Sequence, residues 1–284
     1  MGIRDSIVRL LGGTMPSGAT DENSANDAVA AEPTPPAEPV PPPPPSLEQL
    51  RDEWAAKFDV FPDIHPDDHM FNFLCKIMPG EKALQAYFED GRNSAERFAG
   101  LAGQYQAKNV LEFASGYARV TRHMRNVAPD IRLTASDIHP EGNKFTTEQT
   151  GFPSIPSVFV PEEYSTGMLF DMAFALSLFS HLPKDLWTRW LATLVGSVKV
   201  GGAVAFTTHG RITVNAQKIE FGEEGFMFLD MTDQVDIDTK MYGSSYVTPT
   251  WVLKQIASIG RAALVQFNEG YWWGHQDLYV VRRI

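Results

Sequence analysis

Asn109-Val110-Leu111-Glu112-Phe113-Ala114-Ser115-Gly116-Tyr117-Ala118-Arg119-Val120 is the stretch on which the fold turns. An apolar run ends beside an acid, small residues occupy 114, 116 and 118, and a helical pattern follows over 117–127. The reading is a strand over Val110–Phe113, a tight turn and a helix. In an open α/β sheet the first such turn lies at the carboxyl edge of the strands, where ligands bind. Small side chains there let a ligand come close to the backbone.

Outward from this stretch, short β-rich runs alternate with helical patterns. Strands are expected at Ile131–Ala135, Ser157–Val160, Met168–Leu176 and Ala203–Thr207. Helices are expected at 140–149 and at 184–198, the latter with Trp187, Trp190, Leu191 and Leu194 on one side. A helix at 249–259 and strands at 262–267 and 278–282 close the chain. Strands alternating with helices imply an α/β fold: a mostly parallel sheet with helices on both faces. Only a loop separates the last two strands, so they should pair antiparallel.

The third small position of the turn bears on the ligand. A dinucleotide fingerprint, G-x-G-x-x-G, laid on Ala114 and Gly116 would put its last glycine at Arg119, whose bulk opposes the close helix–strand packing that glycine permits. The pattern is instead acid-x-small-x-Gly-x-small. Asp137 ends the second strand in Ala135-Ser136-Asp137-Ile138. Phe170-Asp171 opens a strand that runs into Ser177-Leu178-Phe179-Ser180-His181-Leu182, and Gly201-Gly202 leads into Ala203-Val204-Ala205-Phe206. These four segments, in this order across 109–209, resemble class I methyltransferases that use S-adenosylmethionine. The family usually carries glycine where Ala114 and Ala118 stand.

The resemblance implies a Rossmann-like sheet with the last strand antiparallel, and S-adenosylmethionine as cofactor. It implies that Glu112, Ala114, Gly116 and Arg119 line the cofactor loop and that Asp137 accepts the ribose hydroxyls. Ser245-Tyr246-Val247-Thr248-Pro249 and Gly274-His275-Gln276-Asp277 resemble methyltransferases found alongside glycan and polysaccharide enzymes. Tyr246, His275 and Gln276 are the corresponding substrate-binding candidates. A small-molecule or glycan acceptor, methylated at oxygen, is expected; the alternative is an inactive relative kept as a binding or scaffolding subunit. A hydroxyl acceptor loses a proton near the transition state, and histidine suits that task at neutral pH. His181 and His209 follow the fourth and fifth strands and are the catalytic candidates. His275 should return to their edge. The plainer roles are a helix cap or loop contact for His181 and a turn contact for His209.

Ahead of the α/β block, Ser46 and Gln49 form a capping box before Leu47, Leu50, Trp54 and Phe58. Helical pattern continues at 67–78, 81–90 and 93–106, with breaks expected at Pro79-Gly80 and Gly91. Residues 47–107 read as a helical cap and 108–284 as the main domain, with an insertion at about 210–247 too long for a routine connection. His65-Pro66-Asp67-Asp68-His69 carries residue types that suggest a metal site, but Asp67 or Asp68 as a helix cap is the plainer account. No clustered Cys/His pattern for zinc occurs, so no metal is expected. The run Tyr271-Trp272-Trp273 either lines an acceptor pocket or packs under the cap.

Residues 1–46 are dominated by Gly, Ser, Ala, Asp, Glu and Pro, with five consecutive prolines at 41–45, and a disordered tail is expected. A short amphipathic segment at 3–12 is a candidate for docking a protein partner. The net charge of −11 argues against nucleic acid as a partner, since an acidic surface gains nothing from counterion release. The single cysteine, Cys75, permits no internal disulfide, and no apolar run reaches transmembrane length. A cytoplasmic protein is expected.

Overall fold

The structure, a computed structural model, describes residues 44–234 and 236–284. The expected disordered tail and the amphipathic segment fall almost wholly outside the described residues. The first described helix opens with the capping box. Ser46 Oγ accepts the Gln49 N–H at 3.2 Å, and Gln49 Oε1 accepts the Ser46 N–H at 2.8 Å. Helix α1 then spans Leu47–Phe58. Helix α2 covers His69–Ile77, with Asp68 as its cap accepting the Phe71 N–H. Helix α3 runs unbroken over Gly80–Gln104. The break expected at Gly91 does not occur. A side chain there would strike the carbonyl of Arg119 and the ring of His123. Glycine lets the helix lie against the turn at 114–120, so its job is close approach and not interruption.

The α/β block follows: β1 (Asn109–Phe113), α4 (Thr121–Val127), β2 (Arg132–Asp137), α5 (Pro140–Thr150), β3 (Ser154–Pro156), β4 (Phe170–Ala175), α6 (Lys184–Ser197) and β5 (Val198–His209). The third strand sits at 154–156, not at the expected 157–160. Pro156 lets only three residues pair with β2 before the chain leaves. Next come α7 (Arg211–Gln217), β6 (Phe226–Leu229), β7 (Ser244–Val247), α8 (Pro249–Ile259), β8 (Ala262–Trp272) and β9 (Gln276–Arg283).

The sheet runs β3-β2-β1-β4-β5, all parallel, then β9 antiparallel to β5, with β8 antiparallel to β9. Residue alternation assigns the two faces. Leu111, Phe113, Ala173, Val204, Phe206 and Tyr279 pack against α6 and α8. Val110, Met172, Phe174, Ala205, Leu278 and Val280 pack against α4 and the second half of α3, through Phe98 and Leu101. The first half of α3 builds a separate small core with α1 and α2 around Tyr87, Phe88, Leu84 and Leu74. One helix therefore serves both cores.

The β6–β7 pair joins the sheet only at the end of β5. His209 pairs with Gln276 of β9 on one edge and with Tyr246 of β7 on the other. That second edge belongs to β4 lower down, so β7 occupies the space beyond the end of β4. The Ser245 N–H donates to the Ser180 carbonyl at 2.8 Å, and the Gly243 N–H to that of His181 at 2.9 Å. The described residues between β6 and β7, 230–234 and 236–243, are thereby held over the carboxyl edge of the sheet. At the opposite edge, Asp171 accepts the N–H groups of Lys108 and Asn109 and pairs with Lys199 at 2.5 Å. This acid of the strand-four motif ties strand starts together and lies far from the turn.

Candidate active site

Ala114, Gly116 and Ala118 all have positive φ, at 60°, 58° and 64°. The turn keeps a glycine conformation although two of its three small residues are alanines. A left-handed residue with a Cβ costs roughly 1 kcal/mol, which the surrounding packing must hold in place. Around Gly116 the space is open: a Cβ there would meet nothing within 4 Å. Its N–H donates to Asp137 Oδ2 at 2.7 Å. The buried acid ending β2 therefore faces the turn leaving β1.

Asp137 is built in from several directions. Its N–H donates to Asn143 Oδ1, whose amide donates back to the Asp137 carbonyl at 2.8 Å. Its Oδ1 receives the N–H and the Nδ1 of His139, at 2.9 and 2.7 Å. A carboxylate offers about four lone-pair sites. One on Oδ2 stays open to a ligand hydroxyl, and a second requires the His139 ring to turn aside. Burial pushes the His139 pKa down, but the bond and charge of Asp137, together with Asp236, outweigh it and raise the net value. Asn143 and His139 carried no sequence signal; both lie in or beside α5 and act only because that helix starts beneath β2.

Glu112 is buried on β1 and accepts the Thr121 hydroxyl at 2.7 Å. Burial pushes its carboxyl up to about 8, with Asp137 adding repulsion against the Thr121 bond. Arg119 departs from the expected role. Its guanidinium pairs with Asp90 of α3 and lies near the Trp273 ring, 5.8 Å from the centroid. The side chain fastens the helical cap and does not enter the turn. The cap is further fastened by Arg122, which donates to the carbonyls of Phe61 and Asp63 and to the Tyr87 hydroxyl. His65 stacks on Tyr117, with centroids 4.6 Å apart.

A second group of residues gathers beyond β4 and β5. The His181 and His209 rings are 6.1 Å apart, and His209 and His275 are 6.3 Å apart. Tyr242 stacks on His181 at 4.5 Å, and Tyr246 on His209 at 5.4 Å. His181 Nδ1 sits 2.7 Å from the Gly243 carbonyl. A carbonyl only accepts, so Nδ1 carries the proton and Nε2 the lone pair. Burial holds the His181 pKa down to about 4. Burial, with its two neighbouring histidines, also holds the His209 pKa well below its ordinary value. His181 does not cap α6, whose cap residue is Pro183.

Gln276 and Tyr246 spend their polar groups on protein partners. Gln276 accepts the Thr207 hydroxyl and donates to Ser177 Oγ, with His209 Nε2 at 3.3 Å. The buried Tyr246 hydroxyl donates to Gln217. Both set the histidines in place while engaged with protein partners. His275 Nδ1–H donates to the Trp273 carbonyl at 3.1 Å. The aromatic run packs under the cap: Trp272 Nε1 donates to Ser94 and Trp273 Nε1 to Asp90, both on α3.

No known family profile and no curated protein matches this sequence. Solved structures do. A sugar N-methyltransferase from Streptoalloteichus is 14% identical with a TM-score of 0.52, over 70% of this chain and 90% of that one. An amino pentose methyltransferase from Micromonospora echinaspora, solved with S-adenosylmethionine, is 12% identical with a TM-score of 0.51, over 72% of this chain and 96% of that one. An O-methyltransferase family protein from Burkholderia thailandensis is 10% identical with a TM-score of 0.51, over 84% and 69% of the two chains. The chain has the fold of class I methyltransferases.

Proposed function

We propose that this chain is an S-adenosylmethionine-dependent methyltransferase acting on a small-molecule or glycan acceptor, at an oxygen atom. One observation carries the reading: the turn after β1 holds three small residues, at alternate positions 114, 116 and 118, in the left-handed region and gives the Gly116 N–H to the acid that ends β2. That pairing places an open, small-residue turn beside a buried carboxylate at the ligand-binding edge of the sheet. The similar folds include a sugar N-methyltransferase and an amino pentose methyltransferase, which supports an acceptor of that class.

S-adenosylmethionine would supply a sulfonium-activated methyl group. The backbone of 114–118 would receive its methionine and ribose portion, and Asp137 Oδ2 would accept a ribose hydroxyl. His181 would take the acceptor proton on Nε2, which makes no hydrogen bond among the described residues; its Nδ1 is anchored to Gly243. His209, already engaged by Gln276, would position His181 and the acceptor. Tyr242 forms a wall over His181. Orientation of donor and acceptor accounts for most of such a rate enhancement, with general-base help adding roughly a hundredfold or more.

Isothermal titration with S-adenosylmethionine and S-adenosylhomocysteine tests the cofactor. Absence of heat and of thermal stabilisation with either would leave a scaffolding protein that keeps the fold without the chemistry. Incubation with labelled donor and cell extract then identifies the acceptor. His181→Ala should lower turnover at least about tenfold and leave cofactor affinity intact.

A further inference from the structure

Three elements distant in sequence meet at one point beside β2. His69 is the first residue of α2, His139 precedes α5, and Asp236 lies in the segment joining β6 to β7. Their ligating atoms all lie within 4.8 Å of one another. Asp236 Oδ2 is 3.2 Å from His69 Nε2 and 3.0 Å from His139 Nε2. Tetrahedral zinc, with bonds of about 2.0–2.1 Å, places adjacent donor atoms about 3.3 Å apart.

The His69 contact is also misdirected for hydrogen bonding. His69 Nε2 is buried yet makes no hydrogen bond, although the carboxylate is so near. In a metal site each donor aims at the ion and not at the next donor, which leaves short, off-axis contacts of this kind. His139 is oriented as metal-bound imidazoles are. Its Nδ1 is held by Asp137 at 2.7 Å, which turns Nε2 into the cluster. The Gln234 amide lies 3.0 Å from that same nitrogen and, donating to it, marks it as the ring's lone-pair atom.

We propose that His69, His139 and Asp236 bind one divalent transition-metal ion of the zinc type. Two imidazoles and one carboxylate suit zinc or cobalt and are poorly matched to magnesium or calcium, which take oxygen ligands. The ion ties α2 and the 230–243 segment to the end of β2, across Asp137. Its role is to hold that segment closed, and it does not depend on which cofactor the turn receives.

Chelator-stripped full-length protein is titrated with Co²⁺. A saturable one-to-one visible absorption of tetrahedral type is expected, and Zn²⁺ should abolish it. His69→Ala and Asp236→Asn should each weaken binding by at least about tenfold. Cys75→Ser, which removes the one thiol, should change nothing. Asp236 lies on a surface segment, so its variant reports on the site even if His69→Ala unfolds, as circular dichroism would show. Zn²⁺ should also slow proteolysis within 230–243. Equal Co²⁺ affinity in wild type and the Asp236→Asn variant, or an equal response to Mg²⁺, overturns the proposal. None of these readouts involves methyl transfer or S-adenosylhomocysteine, so this site and the proposed function can fail separately.

Discussion

Ala114 and Ala118 occupy a backbone shape that glycine meets best. Each sits in the left-handed region, where alanine is strained and glycine is not. Ala114→Gly and Ala118→Gly should each raise stability, by up to about 1 kcal/mol in urea denaturation, since relief of strain is partly offset by the greater freedom of unfolded glycine. Affinity for S-adenosylhomocysteine should hardly change, because the turn already has its working shape; a large gain would show the methyl groups to be obstructive. Glu112 gives a second prediction. Its folded pKa of about 8 exceeds the ordinary 4.5, so the folded chain holds a proton that the unfolded chain releases. Its contribution is full below pH 4.5 and is lost as pH rises through about 8. The stability difference between wild type and Glu112→Gln, followed across that window, should therefore shift in favour of glutamine as pH rises. His181 gives a third. With its pKa held at about 4, the acid limb of kcat/KM should fall near pH 4 and not near 6.5. A limb at 6.5 would remove His181 as the base.

At the scale of elements, helix α3 matters most. Its second half seals one face of the sheet and its first half builds the small core with α1 and α2. Gly91 stands between those halves, against the backbone of the turn at 119. Gly91→Ala gains helix propensity but forces a methyl group into a carbonyl. The overpacking cost of about 1–3 kcal/mol should outweigh the gain of about 1 kcal/mol, and thermal melting measures the balance. The β6–β7 pair shows a different logic. It is anchored through the carbonyls of Ser180 and His181, so the loop after β4 both carries a candidate base and holds the strand that covers it. A sequence pattern cannot announce that double use, because strand pairing at so long a separation depends on which edge the sheet leaves free.

Across the whole molecule, the helical cap and the segment between β6 and β7 meet beside the carboxyl edge, through His69 and Asp236 and through Lys76 and Asp233. S-adenosylhomocysteine should slow cleavage in that segment by a protease; unchanged cleavage would place the ligand elsewhere. Much of this architecture was written locally. The capping box at Ser46, the cap at Asp68, the alternation of strand and helix, and the order of the four segments across 109–209 each rest on spacing within a few residues. Local spacing fixes hydrophobic periodicity and turn chemistry, and these sufficed for the α/β fold and for placing Asp137 at a strand end. Other features required the folded chain. Arg119 turns to Asp90, Gln276 and Tyr246 bond to protein partners, and His69, His139 and Asp236 converge from three elements. Those outcomes depend on which side chains share a few ångströms after long loops have closed, and no periodicity in the sequence encodes that distance.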